Sequence, residues 1–179
     1  MVTDDKDIVL KIRENPEKGF RLLMAKYEAP LYWHIRRLVV LHDDAQDVAQ
    51  ETFVRIYRSI GQYRGDSAFS TWVYRIATNE ALRCLERRKG APQSLDDVDT
   101  SLLTMKADDY VDYDDLEAVK LQKAILSLPT KQQLAFNLRY YDELGYEEIA
   151  QIAGSNAAAV KANYHNAKEK IIAYMTSNE

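Results

Sequence analysis

Five residues near the C-terminus, Lys161, Asn163, His165, Asn166 and Lys168, carry the sharpest chemical signal in the chain. They are cations, amides and an imidazole on one helix-forming run. Such groups grip phosphates or read base edges in a major groove. The run follows Gly154-Ser155-Asn156, a tight turn, and a shorter helical stretch, 147–153, precedes that turn. Ala150 lets two helices approach closely, Gly154 suits the turn, and Val160 can pack back onto the first helix. A helix-turn-helix constrains those three positions most. An ordinary helical hairpin with a solvated basic face has the same features.

A second constellation runs from Tyr63 through Arg64, Gly65, Asp66, Ser67 and Ala68 into Phe69, Trp72, Tyr74 and Arg75. Aromatic rings offer stacking faces and arginines offer charge, which is what unpaired bases need. Phe69 and Trp72 read as core residues. The functional weight therefore falls on the loop 63–68 and on Arg75, Asn79 and Arg83. A third group is Asp47, Gln50 and Glu51. Carboxylates near a helix start commonly just complement the helix dipole. That reading covers Asp44 but not Glu51, two turns in, where a partner's basic helix would suit the stripe. Catalytic chemistry is poorly served. His34, His42 and His165 have no paired ligand spacing, and Cys84 sits on an apolar helix face as an inert thiol. No glycine-rich phosphate loop or nucleophile elbow is present. The expectation is no enzyme, no metal, no cofactor and no small-molecule substrate.

The elements that must position these groups are helices. The chain has 179 residues, of which 46% are aliphatic or aromatic, with only 6 Gly and 4 Pro. That is enough apolar material for a core and too few turn formers for a sheet protein. Helices are expected near 4–14, 17–39, 43–60 and 68–89, then near 114–127, 130–141, 145–153 and 156–175. Asp43 reads as an N-cap with Gln46 as its capping-box partner. Behind it Ala45, Val48, Ala49, Thr52, Phe53, Ile56, Tyr57 and Ile60 form one buried stripe. On the last helix of the first block Thr71, Arg75, Asn79, Arg83 and Arg87 mark the polar side. The fold class is all-α, with two small helical domains, 1–90 and 116–179, and an acidic linker, 91–115. One cysteine excludes a disulfide scaffold. No apolar run approaches the length of a membrane span, and the acidic N-terminus does not read as a signal peptide. Cytoplasmic is the expectation.

Net charge is −4, but its distribution matters more. Residues 1–90 carry net +3, residues 91–118 net −8 and residues 119–179 net +1. The average hides two mildly basic blocks around an acidic stretch.

Two runs then resemble a known family. Asp44-Ala45-Gln46-Asp47-Val48-Ala49-Gln50-Glu51-Thr52-Phe53, with 69–79 after it, resembles domain two of bacterial extracytoplasmic-function sigma factors. Leu126-Ser127-Leu128-Pro129, then Tyr146-Glu147-Glu148-Ile149-Ala150 and Ala159-Val160-Lys161-Ala162, resembles their domain four. The resemblance implies core RNA polymerase, promoter DNA and an anti-sigma factor as partners. It maps polymerase binding to Asp47, Gln50 and Glu51. It maps capture of a flipped minus-ten base to the loop 63–68, with Asn79 beneath it and Arg75 and Arg83 alongside. It maps reading of the minus-thirty-five element to Lys161, Ala162, Asn163, His165 and Asn166, with Lys168 on phosphate. The family's recognition helix often carries arginines where this chain has Asn163 and Asn166. Amides pair bidentately with adenine, so an A-containing element is expected.

Two other functions fit parts of the pattern. One is a stand-alone helix-turn-helix regulator, whose first block would offer an apolar sensor pocket or a dimer seam. The other is a pure interaction bundle, which would have no use for Lys161 and the amides around it.

Overall fold

The computed structural model describes residues 3–89 and 116–177. The expected acidic linker, with Asp108, Asp109, Asp112, Asp114 and Asp115, lies outside the described residues. Among those that are described, the regular elements are eight α-helices and one short 3-10 turn, with no strand. They fall into two units.

The first unit holds α1 (Asp5–Glu14), α2 (Pro16–Val39), α3 (His42–Ser59), the 3-10 turn (Ile60–Gln62) and α4 (Phe69–Arg88). Helix α1 lies against α2, where Gly19 permits the approach: a Cβ there would overlap the backbone of Ile12. Asp5 secures the other end of the pair. Its Oδ1 accepts hydrogen bonds from Lys26 Nζ and from the Tyr27 hydroxyl, both at 2.7 Å. Helix α2 runs on through Pro30, although proline removes one bond of the ladder. Burial of Leu31, Ile35 and Leu38 beyond it supplies packing that offsets the loss. Phe20 joins α2 to α3 through edge contacts with Phe53 and Tyr57 at 6.5 and 5.1 Å. Tyr27 joins α2 to α4 through Phe69 at 6.1 Å.

His34 is fully enclosed between α2 and α4, with Nε2 2.8 Å from Thr78 Oγ1 and its ring 5.3 Å from Tyr74. Burial, with the Arg37 charge adding to it, pushes the imidazole down to about 3. It is a neutral core residue at physiological pH.

Three expectations are corrected here. Helix α3 begins at His42, so Asp43 stands inside the first turn with Asp44 instead of capping it. Both complement the dipole there. Tyr57, expected in the buried stripe, is 53% exposed. Thr71, expected on the polar side of α4, is buried. Tyr74, Thr78 and Glu80 are buried as well, so the unit encloses more of the helix circumference than the apolar pattern marks.

The second unit holds α5 (Leu116–Leu126), α6 (Thr130–Tyr140), α7 (Tyr146–Ala153) and α8 (Ala157–Thr176). Helix α8 packs against all three others. Ala124, Ile125, Leu128, Phe136, Ala167 and Ile171 form its core. Lys120 Nζ reaches the carbonyls of Met175 and Ser177 at 3.1 and 2.8 Å. A cation there answers the orphan acceptors and negative dipole end of α8. Among the described residues no helix is long and apolar enough to cross a membrane.

Candidate nucleic-acid interface

In the second unit, α7, the turn and α8 are fixed by local chemistry. The Gly145 N–H donates to Glu148 Oε2 at 2.8 Å at the start of α7. Gly154 ends that helix at φ 63°, a left-handed conformation that glycine adopts without steric cost. Asn156 then caps α8, its Oδ1 accepting from the Ala159 N–H at 2.8 Å. Ile149, Ala150, Ile152 and Val160 are buried, so the small residue and the back-packing valine do hold the two helices together.

This geometry turns the rest of α8 outward. Lys161, Ala162, His165, Asn166 and Lys168 are exposed, and Asn163 is half-buried. Lys161, His165 and Lys168 fall at i, i+4 and i+7, one stripe along the helix. Two neighbours temper that stripe. His165 Nε2 lies 3.4 Å from Glu169 Oε1. Lys168 Nζ sits 5.7 Å from the Tyr164 ring centroid, a cation–π placement. Tyr164 in turn stacks on Phe136 at 5.9 Å, which ties the exposed stripe to the core.

In the first unit the loop 63–68 is clamped at its root. The Tyr63 hydroxyl donates to the Ser67 carbonyl at 2.7 Å, closing the loop on itself. Burial, then the charges of Asp5 and Asp66, raise the Tyr63 hydroxyl above its ordinary value, so it stays protonated and keeps donating. The Tyr63 ring meets Phe69 at 5.2 Å and Trp72 at 5.4 Å. Gly65 takes φ 84° at the tip. Arg64, Gly65, Asp66 and Ala68 are exposed, while Tyr63 and Ser67 are half-buried. Phe69 is buried and Trp72 half-buried.

Arg75, Asn79 and Arg83 follow along α4 at four-residue steps, half-buried, exposed and exposed respectively. Asn79 lies ten residues into the helix, about 15 Å from Phe69 at the helical rise. It is exposed on the surface of α4.

Asp47, Gln50 and Glu51 are all exposed on α3. Beside them runs a groove of 1090 Å³ between α2 and α3, lined by Phe20, Met24, Trp33, Gln50, Phe53 and Tyr57 among others. Two residues that the sequence did not mark shape these surfaces. Glu80, buried on α4, accepts Arg55 Nε from α3 at 2.6 Å and also binds the Arg83 guanidinium. Glu169 partners His165. Glu169 stands four residues from His165 and Glu80 three from Arg83, spacings that a helical wheel places on one face. Among the described residues no group of three or more His, Cys, Asp or Glu side chains is placed to hold a metal ion.

Comparison with known proteins agrees with this division. The family model of Sigma-70 region 2 matches residues 23–91, and that of Sigma-70 region 4 matches residues 118–171. The RNA polymerase sigma-H factor of Pseudomonas aeruginosa is 32% identical, over 96% of this chain and 94% of the relative. The ECF RNA polymerase sigma-E factor of Escherichia coli K12 is also 32% identical, over 93% of this chain and 92% of its own length. The chain belongs to the ECF sigma factors of RNA polymerase.

Solved structures share the fold of this sigma factor at lower identity. CnrH, solved in complex with the cytosolic domain of CnrY, matches with a TM-score of 0.74 at 20% identity, over 98% of this chain and 99% of the other. The sigma factor RpoE of Bartonella quintana, solved with the anti-sigma factor NepR, matches with a TM-score of 0.69 at 18% identity, over 90% and 99%. The sigma factor's loop and α4 surface lie within the region 2 match, and the region 4 match takes in α7 and α8 as far as Ile171. Helix α1 precedes the first match.

Proposed function

We propose that this sigma factor joins core RNA polymerase in the cytoplasm and directs it, without catalysis of its own, to promoters with two separated elements. The observation that carries the reading is the exposed Lys161/His165/Lys168 stripe on the second helix of a helix-turn-helix, in a chain that also presents Asp47, Gln50 and Glu51 on α3. Residues 116–179 read the minus-thirty-five element through Lys161, Ala162, His165 and Asn166, with Lys168 on phosphate. Asn163, half-buried, has less reach than Asn166. Residues 1–90 bind polymerase through the α3 face and take the minus-ten element through the loop 63–68, with Arg75 and Asn79 along the strand and Arg83 beside them, held on Glu80. Residues 91–115 tether the two.

The clamped loop supports base capture. An extruded base loses a few kcal/mol of stacking, and it recovers that only in a pocket that is already shaped. The bond from Tyr63 to Ser67 and the rings of Phe69 and Trp72 supply that shape before DNA arrives. The groove between α2 and α3, with Trp33 and Tyr57 in it, offers an apolar surface that a regulator would cover. An anti-sigma factor is the partner of that kind that we assign.

The decisive experiment adds the protein to core polymerase and maps transcription start sites. One shared promoter motif upstream of the starts is the expected outcome. Specific DNA binding by the chain alone, with no polymerase-dependent starts, would favour the stand-alone regulator. Asn79→Ala should weaken open-complex formation, and Asn166→Ala should relax choice at one minus-thirty-five position by about 1–3 kcal/mol.

A further inference from the structure

The α3 face and the α4 face are joined by one carboxylate. Glu80 has a side chain only 6% exposed, and both its arginine partners reach in from the surface. Arg55 Nε on α3 is 2.6 Å from Glu80 Oε1, and Arg55 Nη2 is 3.8 Å from Glu51 Oε1 on the same helix. Arg83 on α4 binds the same Glu80 oxygen. The order is thus Glu51, Arg55, Glu80, Arg83, running from the face assigned to polymerase to the face assigned to DNA.

A buried carboxylate needs compensating charge, and removal of either side leaves an imbalance. Glu80 draws Arg55 away from Glu51, so Glu51 keeps more of its negative charge for a partner. It also draws Arg83 back against its own helix, so that guanidinium is withheld from DNA phosphates.

We propose that Glu80 is a positioning residue for initiation: it sets the charge that α3 offers to polymerase and that α4 offers to the DNA backbone. The inference rests on the assignment of α4 to promoter DNA. Glu80→Gln keeps the size and loses the charge. Arg55 then pairs with Glu51 alone, and Arg83 swings out toward phosphate.

The test uses holoenzyme reconstituted with each variant. Promoter affinity is measured across a salt series, and core affinity is measured from anisotropy of a labelled sigma chain. With Glu80→Gln the log–log salt slope should steepen by about 0.9, the value of one added phosphate contact. Core affinity should weaken by up to about fivefold, in line with loss of one exposed ionic contact. The double variant with Arg83→Gln should return the slope to wild type while leaving core affinity weak. Glu80→Asp, which keeps the charge, should restore the wild-type slope if a shifted slope comes from charge and not from misfolding. An unchanged slope in Glu80→Gln, or a shift that Arg83→Gln does not reverse, overturns the inference. Asn79→Ala serves as the separate control. If it leaves promoter binding intact, the assignment of α4 to DNA fails; if it weakens binding while the Glu80→Gln slope stays flat, only the role of Glu80 fails.

Discussion

At the scale of single residues, two positions make sharp predictions. Asn156 caps α8, its side chain accepting one hydrogen bond from the Ala159 N–H. Asn156→Ala should cost about 1 kcal/mol of stability, visible as a lower denaturant midpoint with an unchanged slope. His34 gives a pH prediction. Its folded value is pushed down to about 3 from an ordinary 6.5. The unfolded chain therefore takes up a proton that the folded chain refuses. The stabilising contribution of neutral His34 is complete above about pH 6.5 and declines as pH falls toward 3, by about 1.4 kcal/mol per unit. His34→Gln keeps a polar partner for Thr78 and cannot charge. Urea titrations at pH 7 and pH 5 should show a smaller loss of stability in the variant than in wild type. An equal loss in both would place the pH sensitivity elsewhere.

At the scale of elements, helix α1 acts as a brace. Asp5 holds Tyr27, Tyr27 meets Phe69, and Phe69 meets Tyr63 at the root of the loop. Gly19→Ala must push α1 off α2, because the new methyl overlaps the Ile12 backbone. A cost of about 1–3 kcal/mol is expected from overpacking, read by thermal unfolding. Promoter melting should fall along with it if the loop depends on the brace. Most of this layer was legible in the sequence. Helices expected at 17–39, 130–141 and 145–153 form at Pro16–Val39, Thr130–Tyr140 and Tyr146–Ala153, because apolar spacing and turn residues agree there. The 3-10 turn at Ile60–Gln62 was not legible, since Ile60 continues the helical stripe. Glu80 was hidden for another reason. A lone charge in a helix reads as solvated, and only the arrival of Arg55 from another helix makes its burial tolerable. Tyr57 shows the reverse: an aromatic at core spacing that the fold leaves on the edge of a groove.

At the scale of the whole molecule, charge is segregated along the chain. The span 91–118 holds net −8 between blocks of net +3 and +1. Dense carboxylate charge and phosphate favour the same cations. Replacing Asp108, Asp109, Asp112, Asp114 and Asp115 with asparagine should strengthen DNA binding by the free chain at low salt, and the gain should vanish as salt rises. A filter-binding series across ionic strength checks both parts.

The distribution of rings has an optical consequence. Both tryptophans, Trp33 and Trp72, belong to the first block of the chain, and the second block has none. Trp72 rests 5.4 Å from Tyr63 at the loop root. Light absorbed only by indole thus reports from the first block alone, and events confined to α5–α8 stay dark to it. With Trp33 changed to Phe, one native indole remains, seated beside the loop. Its emission reports, without a label, any change in packing at the loop root.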